Sequence, residues 1–403
     1  MSNFISKTIR SMPPSGIREF FDVASMMEDA ISLGVGEPDF DTPWHVREAA
    51  ISSLEKGLTS YSSNSGMLQL REAVADYLQE RCHLTYDPKH QILITVGASE
   101  GIDLALRMII DPGDEILVVE PSYVSYKPCI SMCGGVPKEI VTKEENEFRL
   151  TAKELKDAIT PRTKALILPY PNNPTGAIME MDDLVAIAKV AIQADILVIS
   201  DEIYSELTYG TAHVSIAELP GMYERTIVLN GFSKAFAMTG WRLGYAAGPE
   251  EFISHMTKIH QYIAMCAPTT SQFAGVEALR GETRDEELCI MREAYDGRRR
   301  FIVDGFRAMG LTCFEPRGAF YAFPNITSTG LSSQEFCRKL LEEQKVAVVP
   351  GTAFGACGEG FVRCSYAYSV EQIAEALARM AAFVKKYQGI EKQKTTASKK
   401  GSM

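Results

Sequence analysis

The chain has 403 residues, 46% hydrophobic and 23% charged, enough to bury cores for two or three domains and unlike a disordered or fibrous sequence. Its formal net charge of -11 disfavours non-specific binding to nucleic acid, a local basic patch aside. Nine scattered cysteines with no C-x-x-C pair point to free thiols, no i, i+4 histidine pair suggests a metal site, and no signal peptide or bilayer-length apolar run occurs, so a soluble cytoplasmic protein is expected.

Residues 1–40 are expected to form an arm that contributes to a small domain. Met12-Pro13-Pro14-Ser15-Gly16 is a turn cluster, Ile17 to Met27 has helical apolar spacing, and Ile31 to Asp39 takes a short strand into a glycine-proline loop. Helices are predicted over Trp44 to Lys56 and Leu68 to Glu80, with Thr59-Ser60-Tyr61 extended between them. From Ile92 onward strands and helices alternate. The apolar strands are Ile92 to Val96, Glu115 to Val119, Ala165 to Leu168, Ile196 to Ser200, Thr226 to Leu229 and Gly244 to Ala247. That alternation argues for an α/β large domain over 41–285, with a mainly parallel sheet and a ligand site beyond the carboxyl ends of its strands. A long charged helix from Glu286 to about Met309 opens a smaller α+β domain over 286–389, which includes Gly318 to Phe323, a helix from Leu331 to Gln344, and Val346 to Pro350. Residues 390–403 hold almost nothing apolar and are expected to be a disordered tail.

Each strand mouth carries a polar or glycine cluster. Gly97-Ala98-Ser99-Glu100-Gly101, before a helix from Ile102, presents free N–H groups that suit a phosphate, or simply caps the helix. Tyr123, after Glu120-Pro121-Ser122, is able to stack on a planar ring or to pack in the core. In Leu168-Pro169-Tyr170-Pro171-Asn172-Asn173-Pro174-Thr175-Gly176 three prolines and a glycine make a rigid turn that holds an asparagine amide in place. Asp201 ends an interior strand, where a carboxylate is costly without a cation unless it caps a helix; Tyr204 follows three residues on. Lys234 emerges behind Thr226-Ile227-Val228-Leu229 with Ser233 beside it. A desolvated lysine is a good amine nucleophile for an aldehyde, while a surface lysine opening a helix is the ordinary alternative. Arg242 is either a phosphate fork or a surface ion pair. An amine, a phosphate cradle, a stacking aromatic, a cation-demanding carboxylate and phenol-binding groups together are the set that pyridoxal 5'-phosphate requires.

Pro171 to Gly176, Asp201-Glu202-Ile203-Tyr204, and Ser233-Lys234 through Met238-Thr239-Gly240-Trp241-Arg242-Leu243-Gly244-Tyr245 occur in the order found in the class I/II aminotransferases of the fold type I pyridoxal-phosphate enzymes. The chain resembles that family over roughly residues 30 to 385. The resemblance implies a large domain with a mainly parallel seven-stranded sheet between helices, a smaller α+β domain, and ping-pong transfer of an amino group between an L-amino acid and a 2-oxo acid, with glutamate and 2-oxoglutarate as one pair. It implies that Lys234 takes the cofactor as a Schiff base and is the general base, Asp201 pairs with the ring nitrogen, Tyr204 and Asn173 hold the ring oxygen, and Tyr123 stacks on the ring. Gly97, Ala98, Ser99, Ser233 and Arg242 would surround the phosphate, and Tyr61 would reach that of a neighbouring subunit, hence a homodimer. Arg363 would clamp the substrate α-carboxylate with Gly36 and Asn173 beside it. From its strand-like segment alone, Arg363 is equally an edge-strand arginine. Gly231 stands where many relatives carry serine, so a side-chain phosphate ligand is in doubt there.

A carbon-sulfur β-lyase with the same cofactor is the alternative reaction. A transcription factor with an aminotransferase-like domain would need a DNA-binding domain ahead of the match, and a dehydrogenase would need a G-x-G-x-x-G or P-loop, which do not occur. The substrate side chain is expected near Ile17 to Phe21, Val35 to Phe40, Tyr262 to Thr269 and the partner subunit. Aspartate, aromatic, alanine-type and N-acetyl-diaminopimelate substrates all remain open.

Overall fold

A computed structural model describes residues 4–13, 27 and 29–401, with side chains as far as 389. The helix expected over Ile17 to Met27 lies outside these residues apart from Met27, as does the pocket segment Ile17 to Phe21. After a two-residue strand β1 (Ile31–Ser32), the central sheet is built from β2 (Ile92–Thr95), β3 (Glu115–Glu120), β4 (Val136–Val141), β5 (Thr163–Leu168), β6 (Leu197–Asp201), β7 (Thr226–Gly231) and β8 (Gly244–Ala247). Their spatial order is β2-β8-β7-β6-β5-β3-β4, and β8 alone runs against its neighbours. This is the expected seven-stranded, mainly parallel sheet. The apolar pattern locates six of its strands. The seventh, β4, escapes it because it is an edge strand that carries Pro137 and exposes half its residues.

The strands read as continuous apolar runs because both faces are covered. Alternate residues go to opposite sides: Leu117, Val119, Leu166, Leu168 and Val198 join one buried cluster, and Ile116, Val118, Ala165, Ile167 and Ile199 another. Since β2, β3, β5, β6 and β7 point the same way, their carboxyl ends lie along one edge. Reversed β8 begins at that same edge, just after Arg242.

A further core gathers Phe306, Phe320, Tyr321, Phe336, Phe383 and other residues from 291–387 with Leu33 of the arm and Tyr204, Leu207 and Tyr209 from behind β6. Here β9 (Tyr321–Ala322), β11 (Val349–Pro350) and β12 (Val362–Ser365) form an antiparallel sheet, while β10 (Val346–Ala347) pairs in parallel with β1. The last helix runs from Val370 to Gly401, so the backbone of residues 390–401 continues a helix where a disordered tail is expected. Four of those twelve residues are lysine, a good helix former.

His45 ties three helices together. It lies on the helix Trp44–Glu55, with Nδ1 2.8 Å from Glu277 on Thr269–Arg280 and Nε2 3.0 Å from Glu287 on Arg284–Ala308. Burial opposes its charge, but hydrogen bonds and charge from the two glutamates outweigh that and raise its pKa above the ordinary histidine value. A raised folded pKa stabilises fully below the unfolded value of about 6.5, and the stabilisation fades as pH climbs through the folded one. His45→Ala is therefore expected to cost more stability at about pH 6 than at about pH 9, by up to about 1 kcal/mol. Thermal midpoints of both proteins at the two pH values check this, and an equal deficit at both would refute it.

Candidate active site

A cavity of about 570 Å³ opens at the carboxyl edge of the sheet. Every residue expected at the site lines it except Gly97 and Tyr61: Gly36, Ala98, Ser99, Tyr123, Asn173, Asp201, Tyr204, Ser233, Lys234, Arg242 and Arg363.

The helix after β2 begins at Gly97 rather than at Ile102, which brings Ala98 and Ser99 into its first turn. No side chain of Val96, the residue before it, caps the turn, so backbone N–H groups there remain for a ligand. Gly97 shapes this cradle from behind. Its φ of 74° is left-handed, and a Cβ would come within 2.7 Å of Arg242 Nη2. Arg242 donates from Nη1 to the Thr239 carbonyl at 2.8 Å and has no ion-pair partner among the described residues. Gly231 has a steric reason: a Cβ there would lie 2.9 Å from the Gly244 Cα, so the backbone leaves no room for a serine at this position.

Asp201, the last residue of β6, is buried. Its Oδ2 accepts from the Tyr126 hydroxyl at 2.7 Å and its Oδ1 from the Ile203 N–H at 3.3 Å, and no cation pairs with it among the described residues. Burial raises its pKa against those two hydrogen bonds. Arg363, on β12, is 3% exposed and is flanked by the rings of Tyr321 and Phe354, at 4.4 and 4.8 Å from their centroids. It donates from Nη1 to Asn173 Oδ1 at 2.9 Å and from Nη2 to the Gly34 carbonyl, while its buried Nε has no partner. No carboxylate pairs with it among the described residues.

Lys234 sits in a turn after β7 rather than opening a helix. It donates from Nζ to the Gly36 carbonyl at 2.6 Å, near the rings of Tyr204 and Phe320. Burial lowers its pKa to about 8; Glu37 opposes that, Arg363 and Arg242 reinforce it, and Asp201 opposes it weakly. The Tyr204 hydroxyl lies 2.9 Å from that of Tyr321. Tyr126 and Tyr321 were not among the expected residues. Tyr126 was within reach of a helical-spacing argument, three residues after Tyr123, whereas nothing in the local pattern marks Tyr321. Tyr61 is 80% exposed and away from this cavity.

The family description "Aminotransferase class I and II" matches residues 28–380. The chain belongs to the class I and II aminotransferases. It is 48% identical over 382 residues to aromatic-amino-acid aminotransferase 2 of Thermococcus litoralis, covering 94% of this chain and 98% of that protein. Identity to the aspartate aminotransferase of Pyrococcus abyssi is 49% over 368 residues, covering 91% and 95%. The structure of Thermus thermophilus aspartate aminotransferase with maleate superposes with a TM-score of 0.91 at 39% identity, covering 94% of this chain and 100% of that one.

As a class I/II aminotransferase the protein is an enzyme that depends on pyridoxal 5'-phosphate. The cavity fits that group. The uncapped helix start and Arg242 suit a phosphate dianion, buried Asp201 lacks a cation such as a protonated ring nitrogen supplies, and the Lys234 amine is available to an aldehyde. In the apoenzyme, acylation of Lys234 by an amine-selective reagent is expected to rise with pH through a midpoint of about 8, because only the neutral amine reacts. Peptide mapping across a pH series measures this, and a midpoint near the free-lysine value of about 10.4 would rule it out.

Proposed function

We propose that this aminotransferase moves an amino group between an L-amino acid and a 2-oxo acid by a ping-pong cycle, with L-glutamate and 2-oxoglutarate as one pair. One observation carries the reading: Lys234 shares its cavity with Asp201, a buried carboxylate that no cation pairs with among the described residues, and Arg363, a buried guanidinium that no carboxylate pairs with among them. Each charge is costly until a ligand group meets it. Lys234 is the only lysine lining the cavity among the described residues, so donor and acceptor must use it in turn. A dicarboxylate pair accords with the names of the aspartate aminotransferase relatives and with maleate in the Thermus structure.

Bound there, pyridoxal 5'-phosphate supplies an aldehyde for amines and an electron sink for the pair left when a Cα proton departs. Lys234 takes that proton, its pKa, depressed to about 8, leaving about a tenth of the amine unprotonated near neutrality. Arg363 holds the α-carboxylate, for which its unpartnered Nε–H is available, with the Gly36 loop alongside. Asp201 keeps a proton on the ring nitrogen. Tyr204 and Asn173 bind the ring oxygen; the Asn173 Oδ1 is engaged by Arg363, which leaves its amide N–H groups for that oxygen. Tyr123 stacks on the ring, and Ala98, Ser99, Ser233 and Arg242 hold the phosphate around the Gly97 turn.

The active unit is a homodimer in this reading, with Tyr61 serving the partner's phosphate. Leu58, Tyr61, Tyr262, Ile263 and Met265 are exposed on two segments held together by Asn64 Nδ2 donating to the Met265 carbonyl at 2.8 Å, an apolar face that suits a second copy. The division into 41–285 and 286–389, with the arm joining the latter, is supported by a cluster drawn mostly from 291–387 with Leu33, although Phe323, Val349 and Phe354 pack into a cluster of the central sheet. Nine free thiols suit a reducing cytoplasm, and no described helix is long and apolar enough to cross a membrane.

L-Glutamate added alone is expected to bleach the yellow of the bound cofactor, and 2-oxoglutarate to restore it. An absorbance titration reads both steps, and a colour unmoved by glutamate would overturn the donor assignment. Lys234→Ala should lose turnover by at least about 10³-fold, and borohydride should no longer fix the cofactor to the chain. Retained steady-state activity in that variant would overturn its role. Arg363→Gln should raise KM for the amino acid about 10–100-fold; an unchanged KM in initial-rate assays would place the carboxylate elsewhere.

A further inference from the structure

Strand β6 ends in two consecutive buried carboxylates with different surroundings. Asp201 lines the cavity; Glu202, 1% exposed, does not. Glu202 Oε1 accepts from the Ser200 hydroxyl at 2.7 Å and the Ser215 hydroxyl at 2.6 Å, and its Oε2 lies 3.0 Å from His213 Nε2. Both serines are buried. Burial would raise the Glu202 pKa, but His213 and the two hydroxyls outweigh it and hold the carboxyl below its ordinary value, so it is ionised at neutral pH. A buried ionised carboxylate is expensive, and an apolar side chain of similar volume would hold a core at least as well. The site already described uses none of these four groups, so their presence calls for a role.

The bonds themselves indicate it. Ser200 and Glu202 flank Asp201 on either side, and the Glu202 carboxylate ties them to each other and to the segment that bears His213 and Ser215. The Glu202 N–H also donates to the Leu229 carbonyl of β7 at 2.8 Å, and the Glu202 carbonyl accepts from Ser205 N–H at 2.9 Å. The backbone on both sides of Asp201 is therefore pinned, and directed hydrogen bonds fix an orientation that non-directional apolar contacts do not. We propose that Glu202, hydrogen-bonded by Ser200 and Ser215 and in ion-pair contact with His213, is a positioning residue that aims the Asp201 carboxylate at the ring nitrogen of the cofactor. The inference rests on the role given to Asp201 above.

The test is a double-mutant cycle on cofactor affinity, with the dissociation constant of pyridoxal 5'-phosphate measured by absorbance titration of the apoenzymes and kcat and KM measured on the loaded ones. Glu202→Gln is expected to weaken cofactor binding about ten-fold and to lower kcat while KM for the amino acid stays within about two-fold. In an Asp201→Asn background the same substitution should weaken binding by less than about two-fold, since the carboxylate it acts through is gone. An equal loss in both backgrounds would reduce Glu202 to a purely structural residue, and no loss in either would remove its role altogether. If Asp201→Asn alone binds the cofactor as tightly as wild type, the role of Asp201 falls first and this inference with it. Thermal midpoints of the apoenzymes report folding, and if Glu202→Gln does not fold, Ser215→Ala goes through the same cycle with an expected loss of about three-fold.

Discussion

Unpaired charge out of water is the constraint around which this molecule is built. An isolated buried carboxylate or guanidinium is normally eliminated or paired, because desolvation costs several kcal/mol per ion. Among the described residues this fold keeps both Asp201 and Arg363 without internal counter-ions and adds a lysine amine whose proton is held loosely. The cost is tolerated because each group is fixed by uncharged partners: Tyr126 for Asp201, Asn173 and the Gly34 carbonyl for Arg363, the Gly36 carbonyl for Lys234. Those partners orient the charges without neutralising them. What remains open on each is the complement of a ligand.

The architecture explains how such distant residues converge. A parallel sheet stacks its carboxyl ends along one edge, and each connection there is free to vary because the strands below it are held by clusters on both faces. Two cores share the proposed clamp: Arg363 comes from β12 of the small sheet, whereas Asn173 lies in the turn after β5 of the large one. The same turn meets the small domain's chain directly. Gly176 has a φ of 71° and a Cβ on it would fall 2.3 Å from Pro316 Cβ and 2.9 Å from the Gly318 carbonyl, so only glycine lets the two segments close. The distance from the clamp to the lysine thus depends on how the two cores seat against each other.

Much of this was legible before any coordinates, for physical reasons. Strands buried on both faces write themselves as apolar runs, and the polar residue that ends such a run is conspicuous, which is how Asp201 and Lys234 stand out. Strand β4 wrote no such run because edge strands need no apolar outer face. The helix start at Gly97 is hidden in the sequence because a left-handed glycine opens it and the serine behind that glycine resembles a cap. Tyr126 and Tyr321 were missed for a different reason. Their partners lie 75 and 117 residues away in the chain, and only the closed sheet decides which of many tyrosines meets Asp201 or Tyr204.

The electrostatics of Lys234 join these features. Burial is the largest cause of its lowered pKa, and Arg363 and Arg242 add to it while each lacks an anion. A phosphate at the helix start would offset Arg242, and a carboxylate at Arg363 would offset the other, so each ligand anion would remove part of the field that disfavours the ammonium. In the proposed cycle the amine is therefore least basic in the empty cavity, where it would act as a nucleophile, and more basic once the anionic groups are bound, when it would accept a proton. A single lysine can serve both roles because the groups that recognise the ligands also set its proton affinity.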